Sequence, residues 1–166
     1  ITSEERKQAK LFYQNSIQQQ NIGNNFHNKI IIDKLPLNLI RIKFIHNLFP
    51  NTAFIMSVRH PLDCILSCFT QNFLLNSAMI NFLDLERAAI LYDKVMQIWQ
   101  NSSKLININI HIIKYEDLIS NFNHETERML VFLGVNWEQN IKNYKKLLFK
   151  KERIRTPSYN QVIQPL

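Results

Sequence analysis

Glycine is almost missing from this chain. Gly23 and Gly134 are the only two in 166 residues. A loop that wraps nucleotide phosphates in backbone amides is commonly glycine-rich, and no such loop is present. Cysteine is equally scarce, with Cys64 and Cys68 alone. Neither CxxC nor a Cys/His zinc spacing occurs, so no metal is expected. The two cysteines stand four residues apart and read as small buried side chains on one helix face, in a reducing compartment. No apolar run approaches the roughly 18 residues of a membrane span. No leader peptide is visible, and the cytoplasm is the expected location. The chain begins with Ile1 rather than Met and ends at Gln164-Pro165-Leu166; the expectation is a piece of a longer protein, or a divergent remnant of one.

What is present suits a single domain of ordinary composition. The net charge of +7 favours an anionic partner: a nucleotide, a nucleic acid or a membrane surface. Much of the excess lies at 142–155, where Lys142, Lys145, Lys146, Lys150, Lys151, Arg153 and Arg155 face a single acid, Glu152.

Residues 3–20 read as a helix, with Ser3 as N-cap and Glu4 and Glu5 in the first turn. Residues 21–28 read as a loop. Ile30-Ile31-Ile32 suits a strand buried on both faces of a parallel sheet. Residues 37–48 carry a helical stripe of Leu37, Ile40, Phe44 and Leu48, and Pro50-Asn51 turns the chain. A second strand is expected over 53–58. Pro61 opens the next helix, whose apolar face would be Leu62, Ile65, Leu66, Phe69 and Phe73. A helix over 83–102, a third strand over 108–113, helices over 123–133 and 137–149 and an irregular segment over 152–166 complete the order. Strands alternating with helices predict an open parallel sheet sandwiched between helices.

In such sheets, ligands sit beyond the carboxyl ends of the strands. Lys34, Arg59 and Tyr115 each follow an expected strand end, and the topology predicts that they share one crevice. A guanidinium such as that of Arg59 forks onto phosphate, and the helix start beside it favours the same anion. Ser67, eight residues on, reaches that anion only if the ligand lies along the helix. Lys34 offers a point charge suited to a sulfuryl group or a leaving oxygen. Tyr115 could stack on a base. Each also has a plainer reading: Arg59 paired with Asp63, Ser67 at a packing contact, Lys34 reaching to solvent, Tyr115 in a core.

Asp33-Lys34-Leu35-Pro36-Leu37-Asn38, Leu48-Phe49-Pro50-Asn51, Arg59-His60-Pro61-Leu62-Asp63 with Ser67-Cys68, Tyr115-Glu116-Asp117-Leu118 and Phe132-Leu133-Gly134 follow one another in a set order. Thr156-Pro157-Ser158, Gln161-Val162 and Gln164-Pro165 continue it. Together they resemble the PAPS-dependent sulfotransferases. The likeness is greatest to the bacterial branch that often carries N-terminal tetratricopeptide repeats, with the tyrosylprotein sulfotransferases as more distant relatives. The resemblance covers nearly the whole chain and implies a P-loop-NTPase-like sheet. It places Arg59 and Ser67 at the 3′-phosphate of PAPS, Lys34 near the sulfuryl group and Tyr115 near the adenine. Thr156, Ser158 and Gln161 match a C-terminal segment that closes over the nucleotide. Family members usually read Thr-Ala-Ser there, and Pro157 departs from that pattern.

The family opens with a strand, a glycine-containing phosphate loop and a helix that bind the 5′-phosphosulfate, with a carboxylate base soon after. Nothing in residues 1–28 resembles these. Residues 1–166 are therefore expected to be a partial catalytic domain lacking the first strand and phosphate loop, with an exposed apolar edge at 30–32. The resemblance implies sulfuryl transfer from PAPS to a hydroxyl or amine of an unidentified acceptor, without metal and without nucleic acid as partner. Two alternatives stay open: a binding-only remnant that holds PAP, and a basic nucleic-acid-binding module at 142–155.

Overall fold

The computed structural model describes residues 2–20, 30–105 and 107–143. Helix α1 spans Ser3–Gln20. Its cap is Thr2 rather than the expected Ser3. The Thr2 hydroxyl accepts the Glu5 N–H at 3.2 Å, and the Glu5 carboxylate accepts the Thr2 N–H at 2.7 Å. That reciprocal pair is a capping box, which requires the acid three residues after the cap. A 3₁₀ turn at Pro36–Arg41 leads into α2, Ile42–Leu48. The Thr52 N–H then bonds the Phe49 carbonyl at 3.0 Å, closing the expected turn at Pro50-Asn51.

Strand β1, Ala53–Val58, is followed by α3, Pro61–Thr70, and a 3₁₀ turn at Met79–Leu83. Helix α4 covers Leu85–Leu105, and β2 covers Asn109–Lys114. Two further helices follow at once: α5, Tyr115–Ser120, and α6, Phe122–Leu133. Gly134 ends α6 at φ 66°. Its N–H bonds Val131 and the next N–H, of Val135, bonds Leu130. This closure needs a left-handed residue, which explains the glycine. A last 3₁₀ turn lies at Gln139–Asn143.

The strands β1 and β2 pair in a small parallel sheet flanked by helices. A parallel pair demands a crossover connection, which α3 and α4 supply. The chain divides into two compact units. One takes Ile1–Thr52 with Val95–Asn109, and the other takes Ala53–Lys94 with Ile110–Leu166. Buried apolar residues of the first unit include Ile42, Leu48 and Trp99; those of the second include Met56, Ala88 and Ile113.

Four expectations are corrected. Ile30-Ile31-Ile32 is not a strand. The segment carries no ladder, and the three side chains are 65%, 53% and 83% exposed. The apolar exposure expected at 30–32 is real, but the sheet edge is not, because no other described strand lies beside the segment to bond it. The helix expected over 37–48 is 3₁₀ for its first half. Such a turn advances about 20° more per residue than an α-helix. The stripe therefore drifts, leaving Ile40 and Phe44 exposed and burying Ile42. On α3, Leu62, Leu66 and Phe69 face solvent, and half-buried Cys64, Ile65 and Cys68 lie on the covered side. Of the helix expected over 137–149, residues 139–143 form a 3₁₀ turn. Trp137 and Glu138 before it are not helical, while 144–149, the rest of the basic stretch and the segment over 152–166 expected to be irregular lie outside the described residues.

Candidate functional site

The site of interest in the second unit forms where β1 and β2 end. Arg59 and His60 follow β1, and Pro61 opens α3 with its fixed φ and missing N–H, as a first helical residue should. His60 is the N-cap, extended at φ −49° and ψ 128°, and its carbonyl accepts the Cys64 N–H at 3.0 Å. Tyr115 and Glu116 follow β2 directly in the first turn of α5. The two strand ends are joined through side chains. Glu116 Oε1 accepts the His60 backbone N–H at 2.8 Å. The Arg59 guanidinium lies over the Tyr115 ring, 5.1 Å from its centroid.

Arg59 also faces Asp63, with Nε 3.8 Å from Oδ2. That is a loose contact between side chains 41% and 54% exposed, and such a pair is worth at most about 1 kcal/mol. The plainer reading of Arg59 thus coexists with the functional one. Asp63 and Ser67 stand four residues apart on α3, about 6 Å along its axis and on one side of it. Ser67 is half-buried, and its carbonyl accepts the Thr70 hydroxyl at 3.2 Å.

The electrostatics agree with the geometry. The Glu116 carboxyl is held below its ordinary value, first by the His60 N–H and then by its own backbone N–H. Desolvation opposes these bonds, and the charges of His60 and Arg59 add lesser effects in the lowering direction. A lowered carboxyl stabilises the fold in its ionised form. Its contribution is present above the ordinary carboxylate value and is lost as pH falls through the lowered one. Cys64 and Cys68 are free, and burial pushes both thiols up; at Cys64 the Arg59 charge opposes that shift. Neither cysteine has the lowered pKa of a nucleophile.

The structure brings Arg59 and Tyr115 into contact and sets Ser67 on the helix that starts beside them. Lys34 belongs to the first unit, where it is exposed next to Asp33. Asp33 Oδ2 accepts the Tyr13 hydroxyl of α1 at 3.0 Å, and the Tyr13 ring packs on Phe49 at 5.3 Å. Thr156, Ser158 and Gln161 lie outside the described residues. Sequence reasoning missed Glu116 as a structural link, although an acid in the first turn of a helix after a strand was the available signal. It also missed a groove in the second unit, lined by His111, His124, Glu127, Arg128, Val131 and Phe132. Beside it, the buried Glu125 carboxylate takes two bonds from Arg128, at 3.0 and 3.2 Å. Among the described residues no acid, cysteine and histidine cluster could hold a metal, and no helix is long and apolar enough to cross a membrane.

A family model described as the sulfotransferase family matches residues 3–139. The chain belongs to the sulfotransferase family. An uncharacterized protein of Aquifex aeolicus (strain VF5) is similar to it, at 29% identity over 133 residues. The alignment covers 80% of this chain and 17% of that relative, so the chain spans about a sixth of the longer protein. The matched region contains both ends of the sheet and α3, so the Arg59 turn, Ser67 and Tyr115 all lie within the sulfotransferase homology.

Proposed function

We propose that this chain carries the 3′-phosphate side of the donor site in a PAPS-dependent sulfotransferase domain. The observation that carries the reading is the placement of Arg59. It stands at the carboxyl end of a parallel strand, immediately before a helix N-terminus, and its guanidinium is partly solvent-exposed and steadied by the Tyr115 ring. A forked cation and the positive end of a helix attract the same dianion. Ser67 adds a hydroxyl from the second turn of α3, and the adenine stacks on the face of Tyr115 turned away from Arg59. Thr156, Ser158 and Gln161 close over the nucleotide.

In transfer, a hydroxyl or amine of the acceptor attacks the sulfur of PAPS. The new S–O or S–N bond forms as the bond from sulfur to the 5′-phosphate oxygen breaks, and the electron pair leaves with PAP. The acceptor proton passes to a general base. Negative charge grows on the leaving oxygen, where a cation such as Lys34 is useful. Arg59 and Ser67 lie away from the reacting bond and contribute position.

Calorimetric titration with PAP tests the reading. Arg59→Ala should weaken PAP binding about 10- to 100-fold, the range for a hydrogen-bonded charge. Adenosine 5′-monophosphate, which lacks the 3′-phosphate, should bind both proteins equally weakly. Equal PAP affinity in the two proteins, or no binding by the wild-type chain, refutes the reading.

A further inference from the structure

We infer that Glu116 is a positioning residue for the anion site: its carboxylate, bonded to the His60 N–H, fixes the peptide plane from which Arg59 departs. The inference rests on the proposed role of Arg59 as the phosphate ligand. The peptide N–H of His60 belongs to the same rigid plane as the Arg59 carbonyl. An acceptor that holds this N–H therefore sets ψ of Arg59, and with it the direction of the side chain. The bond spans 56 residues of sequence and is 2.8 Å long. His60 precedes the first turn of α3 and has no side-chain cap. Glu116 is thus the group that satisfies an N–H the helix itself does not use.

The neighbouring residue acts on the other end of the same side chain. Tyr115 lies under the guanidinium at 5.1 Å, so two consecutive residues after β2 hold Arg59 at both its backbone and its tip. Glu116 does this at an electrostatic cost, since a carboxylate near an anion site repels the anion. Its benefit must come through the hydrogen bond and not through its charge. The lowered carboxyl of Glu116, with the His60 N–H as first cause, fits that assignment.

Two readouts separate this claim from the one it rests on. In PAP titrations, Glu116→Ala should weaken binding about tenfold, the scale of one lost bond to a charged group. Glu116→Gln keeps an acceptor oxygen and should stay within about threefold of wild type. Alanine binding as tightly as wild type, or glutamine as weakly as alanine when both are folded by circular dichroism, overturns the inference. The second readout needs neither PAP nor a variant. The His60 amide proton, followed by nuclear magnetic resonance, should move upfield as pH falls through the Glu116 titration. A His60 amide that ignores that titration refutes the hydrogen bond. A wild-type chain that fails to bind PAP while its His60 amide titrates refutes the phosphate assignment and leaves the bond standing.

Discussion

Two stretches of this chain are written in nearly the same way. Ile30-Ile31-Ile32-Asp33 runs into Lys34-Leu35-Pro36, and Ile55-Met56-Ser57-Val58 runs into Arg59-His60-Pro61. Each is an apolar run, a cation, one spacer and a proline that opens a helical turn. The second becomes a strand, a fixed turn and the ten-residue helix α3. The first becomes a segment with no ladder and a 3₁₀ turn. Local propensity is alike in the two. Only the second has a described neighbour, because β2 bonds β1 and nothing described bonds residues 30–32. A strand is a property of a pair, and β-branched sequence states only that a segment suits pairing.

The contrast extends to the cations. Arg59 is held by a ring contact, a loose ion pair and, through the adjoining peptide, the Glu116 bond. Among the described residues, the segment carrying Lys34 has one side-chain tie, from Tyr13 to the adjacent Asp33. One region is organised by the ends of two strands, and the other leans on one helix.

The largest test of this difference is a pair of truncations. Met56 is 7% exposed in β1, and Met56→Ala should destabilise the second unit by about 2–4 kcal/mol. Ile31→Ala, at an exposed position, should change stability by no more than about 0.5 kcal/mol. Hydrogen exchange of the amides in β1 and in 30–35 reads each region separately. Equal costs at the two positions would show that residues 30–32 are covered in the protein as it exists, and the comparison would fail.

What could be read in advance follows the same division. The limits of α1 and β1 and the start of α3 at Pro61 were legible, since capping acids, a bounded apolar run and a proline at the first helical position are local signals. The error at 30–32 arose because pairing partners are not local. Helix α5 escaped notice because six residues show less than two turns of periodicity. The burial of Ile42 escaped because the 3₁₀ turn before it shifted the phase of the stripe. At the site, the residue types and their order singled out Arg59 and Tyr115. The parallel topology also predicted that they share one end of the sheet; that they touch each other, and that Glu116 ties the two strand ends together, depends on side-chain placement which spacing does not reveal.

A smaller effect is expected at Tyr13. Tyr13→Phe keeps the ring on Phe49 and removes only the bond to Asp33. One exposed hydrogen bond contributes about 0.5–1 kcal/mol. Amide exchange in 30–35 should quicken accordingly, about two- to fivefold, while exchange in β1 stays unchanged. Matching changes in both regions would mean that Tyr13 supports the whole chain and not one segment.

The smallest effect concerns the ion pair beside Arg59, and its sign is informative. Asp63 is a second carboxylate near the proposed phosphate, and it competes for the guanidinium through a 3.8 Å contact. Asp63→Asn leaves a side chain of the same shape in the first turn of α3 but removes the charge. If Arg59 is the phosphate ligand, PAP affinity should rise about twofold at low salt, and the gain should shrink as salt screens it. If Arg59 serves only to pair with Asp63, the substitution should lower stability slightly and leave PAP binding where it was. Titrations at two ionic strengths distinguish the outcomes, because a shift in folding alone carries no salt-dependent gain in affinity.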